Sequence, residues 1–416
     1  MGDLDIVCFP GTLFDKAPQT NRQRVMTELQ KRGNRVYYIE PLKNPFIQLA
    51  KWILGVKKEQ KNHLWFKRIF QFEKRLGQLW IGSMIKILPL KNPKIRRISH
   101  FLNAVHLKMK LKKMNVTKPI LWIYTPDAVD FIDWIDHKLV IYDCVDEYSA
   151  QPWYAEEFGS IIESENKLLR RADLVFTSAE FLYDLKKMQN NKTYLLENVA
   201  EFDHFNRVLT EELERPSDIK SISGPILGFI GALDKYKLDY SAIIRLAQEK
   251  KDCNVVLIGP HSEAEKSTNL DDLKKVENIF ILGPRDYEVL PNYIAAFDVC
   301  LIPYNENEYT KGCFPLKFFE YLATGKPVVT LGLPTLKKFS QYRVYAETFN
   351  EFRELVNVHL NNQSNHDQLQ IRVKLAKENT WSTKVDKMEK IIDENTSLQT
   401  SIGQPYPLVP LRSVEK

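Results

Sequence analysis

One stretch groups side chains whose types and spacing suit anion and hydroxyl recognition: Phe314-Pro-Leu-Lys317-Phe-Phe-Glu320-Tyr-Leu-Ala-Thr-Gly325-Lys-Pro-Val-Val329. Pro315 stands where proline favours the first turn of a helix, and Gly325 closes that helix before an apolar run that reads as a strand. Amides left unpaired at the helix start form an anion site, and Lys317 adds positive charge within the first turn. Lys317 and Glu320 are three residues apart and share a face, while Phe318, Phe319 and Leu322 supply the buried stripe. A lysine beside phosphate and a carboxylate one turn deeper suit a nucleotide, the charge for a diphosphate and the carboxylate for ribose hydroxyls. The same spacing also suits a plain i,i+3 ion pair on a helix whose other face is core.

Asp146 is the best candidate for a catalytic carboxylate in the N-terminal half, because it follows a predicted strand end and so points into a cleft. Its alternative, shared with Asp143 and Glu147, is a loop of capping and turn-forming acids. The eight histidines form no H-x-x-x-H pair, no Walker or G-x-S-x-G loop occurs, and no metal or cofactor is expected. The five cysteines are scattered without a C-x-x-C pair, which points to a reducing compartment. Neither a signal peptide nor an apolar run long enough to span a membrane is found, so a cytoplasmic protein is expected.

These residues need a scaffold, and the pattern of the chain supplies one. Apolar runs at 5–9, 35–39, 119–124, 139–142, 173–177 and 194–196 alternate with helical patterns at 21–32 and 161–171. A second series has strands at 226–230, 254–258, 278–282, 299–302 and 327–330, with helices at 240–250, 289–297 and 315–323. Near-continuous apolar strands between helices imply parallel sheets covered on both faces. The expected fold is α/β, two doubly wound Rossmann-like domains over 1–205 and 225–378, joined by a polar linker at 206–224. Helical periodicity over 368–393 implies a C-terminal helix, with 379–395 returning to the first domain, and 396–416 reads as a tail. Ligands of such sheets bind outside the carboxyl ends of the strands, which here means the interdomain cleft.

The run Phe314–Val329 resembles the signature of the GT-B-fold, retaining nucleotide-sugar glycosyltransferases. So do Pro225-Ile-Leu-Gly-Phe-Ile-Gly231, Gly283-Pro-Arg285-Asp286 and Ala296–Tyr304. In the first half, Tyr142–Tyr148, Leu168–Ser178 and Asn198–Phe205 look like a subgroup acting in bacterial cell-surface polysaccharide assembly, of the teichuronic-acid type. The resemblance implies a metal-independent hexosyltransferase moving a sugar from a nucleotide diphosphate, UDP before GDP, to a glycan or lipid-linked acceptor. It places Glu320 on the donor ribose, Phe314 and Lys317 beside the sugar and diphosphate, Gly231 at the phosphates, Arg285 in the base loop, and Arg22 and Arg24 towards the acceptor. The second family glutamate matches Glu320, but the first falls on Gly312, and an arginine usual after the first strand falls on Ala232. Lys235 or Lys237 are the candidates for that missing charge. These departures keep two rivals open: a sugar-nucleotide epimerase of the same fold, and a non-catalytic partner in a polysaccharide assembly.

The net charge of +6 conceals an asymmetry. Residues 51–113 hold seventeen Lys/Arg against two acids, an excess of +15, which leaves the remaining chain at −9. Apolar positions from Trp65 to Leu88 recur at helical spacing opposite Lys67, Arg68, Lys74 and Arg75, predicting a cationic amphipathic helix over 64–88. Three readings follow: docking on an anionic inner membrane surface, an insert packed on its own domain with a solvated basic face, or nucleic-acid binding. No recognition motif supports the last.

Overall fold

A computed structural model describes residues 4–15, 19–43, 67–85, 92–150, 161–261, 268–362 and 366–402. Strands β1 (Asp5–Phe9), β2 (Arg35–Lys43), β3 (Glu73–Leu76), β4 (Leu79–Ile85), β5 (Ile120–Ile123), β6 (Leu139–Cys144), β7 (Leu174–Thr177) and β8 (Thr193–Leu195) form one sheet. Its order is β3-β4-β2-β1-β5-β6-β7-β8, parallel except for β3. A second sheet, ordered β11-β10-β9-β12-β13-β14, contains β9 (Ile226–Ile230), β10 (Asn254–Ile258), β11 (Ile279–Gly283), β12 (Val299–Pro303), β13 (Val328–Leu331) and β14 (Tyr345–Ala346). Every pairing in the second sheet is parallel. Both sheets are doubly wound: strand order reverses between β1 and β5 in the first and between β9 and β12 in the second.

Among the described residues the α-helices of eight or more residues are α1 (Asn21–Lys31), α2 (Pro93–Lys113), α3 (Ile161–Arg171), α4 (Glu180–Lys187), α5 (Phe202–Thr210), α6 (Tyr240–Glu249), α7 (Leu316–Ala323), α8 (Phe349–Asn361), α9 (His366–Lys377) and α10 (Trp381–Ile402). Central strands such as β6 and β12 are buried throughout, as a sheet covered on both faces requires. On one face of the first sheet, α1 places Val25, Met26 and Leu29 against Ile6, Cys8 and Tyr38. Val385, Met388 and Ile392 of α10 complete that layer, and Arg32 fastens α10 through Asp386 (2.6 Å) and Glu389 (2.8 Å). The chain thus crosses between halves twice at one place, where Ala200 pairs with Thr380.

Three expectations need correction. The predicted helix over 64–88 is instead a short helical stretch at 67–70 followed by the β3–β4 hairpin. Gly77, at φ +47°, makes the turn, and Leu79–Ile85 is the near-continuous apolar run of a strand buried against β2, where Trp80 stacks on Tyr37 at 5.3 Å. Positions 64–66 and 86–88 lie outside the described residues. The stretch 206–224 is not a loose linker: α5 covers its start, and Ile219 and Ile222 are buried. The single C-terminal periodicity is two helices, α9 and α10, broken around Thr380, and α10 continues beyond 395 to Ile402; residues 403–416 lie outside the described set. Part of the basic segment also turns inward. Arg68 is 7% exposed and pairs with Glu73 (2.7 Å), Glu40 (3.0 Å) and Asp15 (3.1 Å), while Lys110 and Arg96 are buried under α2.

Candidate active site

The site grows from the reversal point of the second sheet. The chain leaves β9 at Gly231 and β12 at Tyr304, and α7 begins beside both. No side chain of a described residue caps the first turn of α7; Phe318 N donates to the Pro315 carbonyl at 3.1 Å, and the Leu316 and Lys317 amides before it stay available to an anion. Lys317 Nζ donates to the Tyr304 hydroxyl at 2.7 Å and lies 4.9 Å from the centre of the Phe229 ring. A Cβ on Gly231 would stand 2.8 Å from that Nζ, and one on Gly259 only 1.9 Å from the Gly231 carbonyl oxygen. Glycine at 259 is therefore a backbone requirement, and at 231 it leaves the room Lys317 uses. Burial, with neighbouring Lys237 adding repulsion, pushes the Lys317 pKa down to about 8. Glu320 lies one turn on, and no hydrogen bond from another described residue reaches its carboxylate. Burial raises its pKa to about 7 against the pull of Lys317 and Arg24.

The first sheet presents its own reversal point opposite. Gly11, at φ +68°, follows β1 so closely that a Cβ would meet Thr125 Cγ2 at 2.1 Å. Arg22, in the first turn of α1, reaches across to the Tyr148 hydroxyl (3.0 Å) and to Asp146 (3.6 Å). Asp146 follows β6 and accepts from the Tyr309 hydroxyl of the other half at 3.4 Å. Burial raises the Asp146 pKa, although Arg22 and Lys237 oppose it. Lys237 itself lies 5.2 Å from the ring centres of both Tyr236 and Tyr309. Asp146 and Arg22 from one half and Lys237, Lys317 and Tyr309 from the other thus surround one space, with Glu320 along its wall.

Other candidates fall elsewhere. Phe314 is core: 2% exposed, it stacks on Phe319 at 5.6 Å, and only its backbone faces the other half, where Asn198 donates to its carbonyl at 2.7 Å. Arg285 is taken up by Asp218 (2.6 Å) and the Tyr293 hydroxyl (2.8 Å) rather than by any residue around that space. Lys235 is exposed and its charge acts on Asp272, so of the two lysines after β9 it is Lys237 that enters the cleft. Arg24, two residues from Arg22 and hence on a different side of α1, pairs with Glu201 (2.5 Å) and covers the Tyr287 ring at 5.1 Å, nearer Glu320 than Asp146. Gly312 abuts the first half, where its Cβ would stand 3.2 Å from that of Glu147, so that position offers no side chain to a ligand. Sequence reasoning missed Tyr309, Tyr304 and Asn198. Asn198 also accepts from Asn21 and so joins the start of α1 to the start of α7.

Residues 224–344 match the family of glycosyl transferases group 1. The chain carries a glycosyl transferases group 1 domain. That domain holds both β9 and α7, hence Gly231, Lys237, Lys317 and Glu320. A relative assigned to teichuronic acid biosynthesis as a glycosyltransferase, TuaH of Bacillus subtilis, is 32% identical over 216 residues, covering 50% of this chain and 53% of the relative. The match thus spans about half the length of that relative. Among solved structures, sucrose-phosphate synthase from Thermosynechococcus elongatus superposes with a TM-score of 0.68 at 12% identity, over 95% of this chain and 100% of that one. A trehalose-6-phosphate structure from E. coli, bound with UDP-2-fluoro glucose, gives 0.63 at 12% over 94% and 99%. Anabaena HepE in complex with UDP and glucose gives 0.60 at 14% over 94% and 99%. The architecture is GT-B.

Proposed function

We propose that the protein transfers a sugar from a UDP-sugar to a glycan or lipid-linked acceptor in surface-polysaccharide synthesis, with retention of anomeric configuration. The observation that carries this reading is the pair of reversal points facing each other, cations on the group 1 side and a carboxylate with Arg22 on the other. Transfer breaks the bond from the sugar carbon to the diphosphate, and charge develops on the departing oxygen. Lys317, Lys237 and the amides at the start of α7 stand where they neutralise it. Glu320 accepts the ribose hydroxyls. Asp146 accepts the hydrogen bond of the incoming acceptor hydroxyl, and its raised pKa suits proton transfer. Support for UDP comes from the two fold neighbours that hold it, and support for the pathway from the teichuronic acid relative.

Thermal shift across UDP, GDP and ADP tests the donor base. UDP at a hundred times its dissociation constant should stabilise by about 2.7 kcal/mol while GDP and ADP lag. Equal shifts with all three would remove the base assignment. Release of UDP from a UDP-sugar, with an added product only when acceptor is present, separates transfer from epimerisation and from a scaffold.

A further inference from the structure

Helix α2 is built inside out. Its inward face carries Arg96, Ser99, His100, Asn103 and Lys110, all buried beside the apolar Ala104, Leu107 and Leu111. Each of those polar groups except Ser99 has a polar contact: Arg96 with Ser164, His100 with Asp130, Asn103 with Ile85, and Lys110 with the Arg68 carbonyl. The outward face carries Ile98 (54% exposed), Phe101 (46%), Leu102 (44%), Val105 (43%) and Met109 (54%). These five occupy positions i, i+3, i+4, i+7 and i+11, one continuous stripe along three turns. Phe70 extends it beyond the helix, 67% exposed and set edge-on to His106. A soluble domain gains nothing from such a row in water, and rows of this kind mark interaction surfaces.

Charge decides what covers the stripe. Lys94 stands at one end and Lys112 and Lys113 at the other, all exposed, while Lys108 and Arg97 along one flank are exposed but paired with Asp136 (3.6 Å) and Asp133 (2.8 Å). No acid occurs anywhere within α2. Of the carboxylates beside α2, Asp130 is buried against His100, and Asp133 and Asp136 are engaged by Arg97, Arg171 and Lys108. A second copy of this chain would set this positive rim against itself, since a two-fold interface joins the same patch to itself. An anionic bilayer satisfies both features, accepting the apolar row between its headgroups and the lysines at its phosphates.

We infer that the outward face of α2, with Phe70, docks the N-terminal half onto an anionic membrane surface. The inference places the docking surface on α2 with Phe70 rather than on a helix over 64–88, whose described part, 67–85, is a short helical stretch and the β3–β4 hairpin. It does not depend on the glycosyl-transfer reading.

The test is vesicle co-sedimentation of the full chain. Phosphatidylcholine vesicles with about one-third phosphatidylglycerol should capture the protein, pure phosphatidylcholine should not, and raised salt should weaken capture. Phe101→Ser with Met109→Ser should reduce binding about tenfold or more, and Lys112→Gln with Lys113→Gln by about 25-fold, at roughly fivefold per charge removed. All four positions are exposed, so circular dichroism and melting should match the parent, and the UDP thermal shift should be unchanged. Capture by neutral vesicles as tight as by anionic ones would overturn the inference. So would a parent that sediments as a dimer and becomes monomeric in the Phe101→Ser, Met109→Ser variant with vesicle binding intact.

Discussion

Lys186 and Lys317 are lysines set into the fold, one in each half, the first buried and the second half-buried, and their surroundings differ in what meets the ammonium. Lys186 Nζ lies 3.0 Å from Glu147 and 2.9 Å from Glu165, and although burial opposes it, Cys144 and the two carboxylates raise its pKa. Lys317 meets a neutral hydroxyl and aromatic rings, with Lys237 repelling it, and its pKa falls to about 8. The first charge is complete within the protein and serves the fold. The second is left incomplete, and in the proposed function an incoming diphosphate supplies the missing counter-charge. A buried charge with a full set of partners reads as architecture, whereas one without them reads as a site.

Substitution should separate the two. Lys186→Met strands two buried carboxylates and should cost about 3–5 kcal/mol of stability. Chemical denaturation checks this, and preserved nucleotide binding in the surviving folded fraction would complete the contrast. Lys317→Met breaks no ion pair at hydrogen-bond distance and leaves Glu320 the attraction of Arg24, with its carboxyl shifted further towards the neutral form; its melting point should fall far less than that of Lys186→Met, while turnover with a UDP-sugar should fall roughly 10²–10³-fold. A melting point lowered as far as that of Lys186→Met would erase the distinction. Next in size, Glu320→Ala should weaken UDP by about ten- to a hundredfold, the cost of hydrogen bonds to a charged group, as isothermal titration would read. The smallest effect is in pH. A bound diphosphate favours the Lys317 ammonium, so UDP affinity should fall as pH rises through about 8. Ribose hydroxyls favour the Glu320 carboxylate, so affinity should also fall as pH drops below about 7. Lys317→Met should erase the alkaline limb and Glu320→Gln the acid one.

Much of the fold could be read directly from the chain, because parallel strands covered on both faces are apolar throughout and their boundaries carry Gly or Pro. The basic segment defeated that approach. Leu79-Trp-Ile-Gly-Ser-Met-Ile85 lies between charged residues at intervals that also suit a helix, and only Gly77 signalled the turn. Within the site, Lys317 and Glu320 were legible because a helix fixes the side that an i,i+3 pair faces. Phe314 was not, since adjacency to polar residues does not reveal whether an aromatic ring turns to the cleft or to Phe318, Phe319 and Phe339. Lys237 and Lys235 lie in a loop, where two residues change the direction of a side chain without any periodic signal. Tyr309 and Asn198 act across the cleft, and no local pattern records which residues of two distant segments will meet.

The placement of α10 has a consequence for synthesis. Val385, Met388 and Ile392 finish a layer whose other members, Val25, Met26 and Leu29, leave the ribosome about 360 residues earlier. The half that is translated first is therefore completed last, and until then α1 presents a bare apolar face that the nascent chain must carry through the making of the whole second sheet.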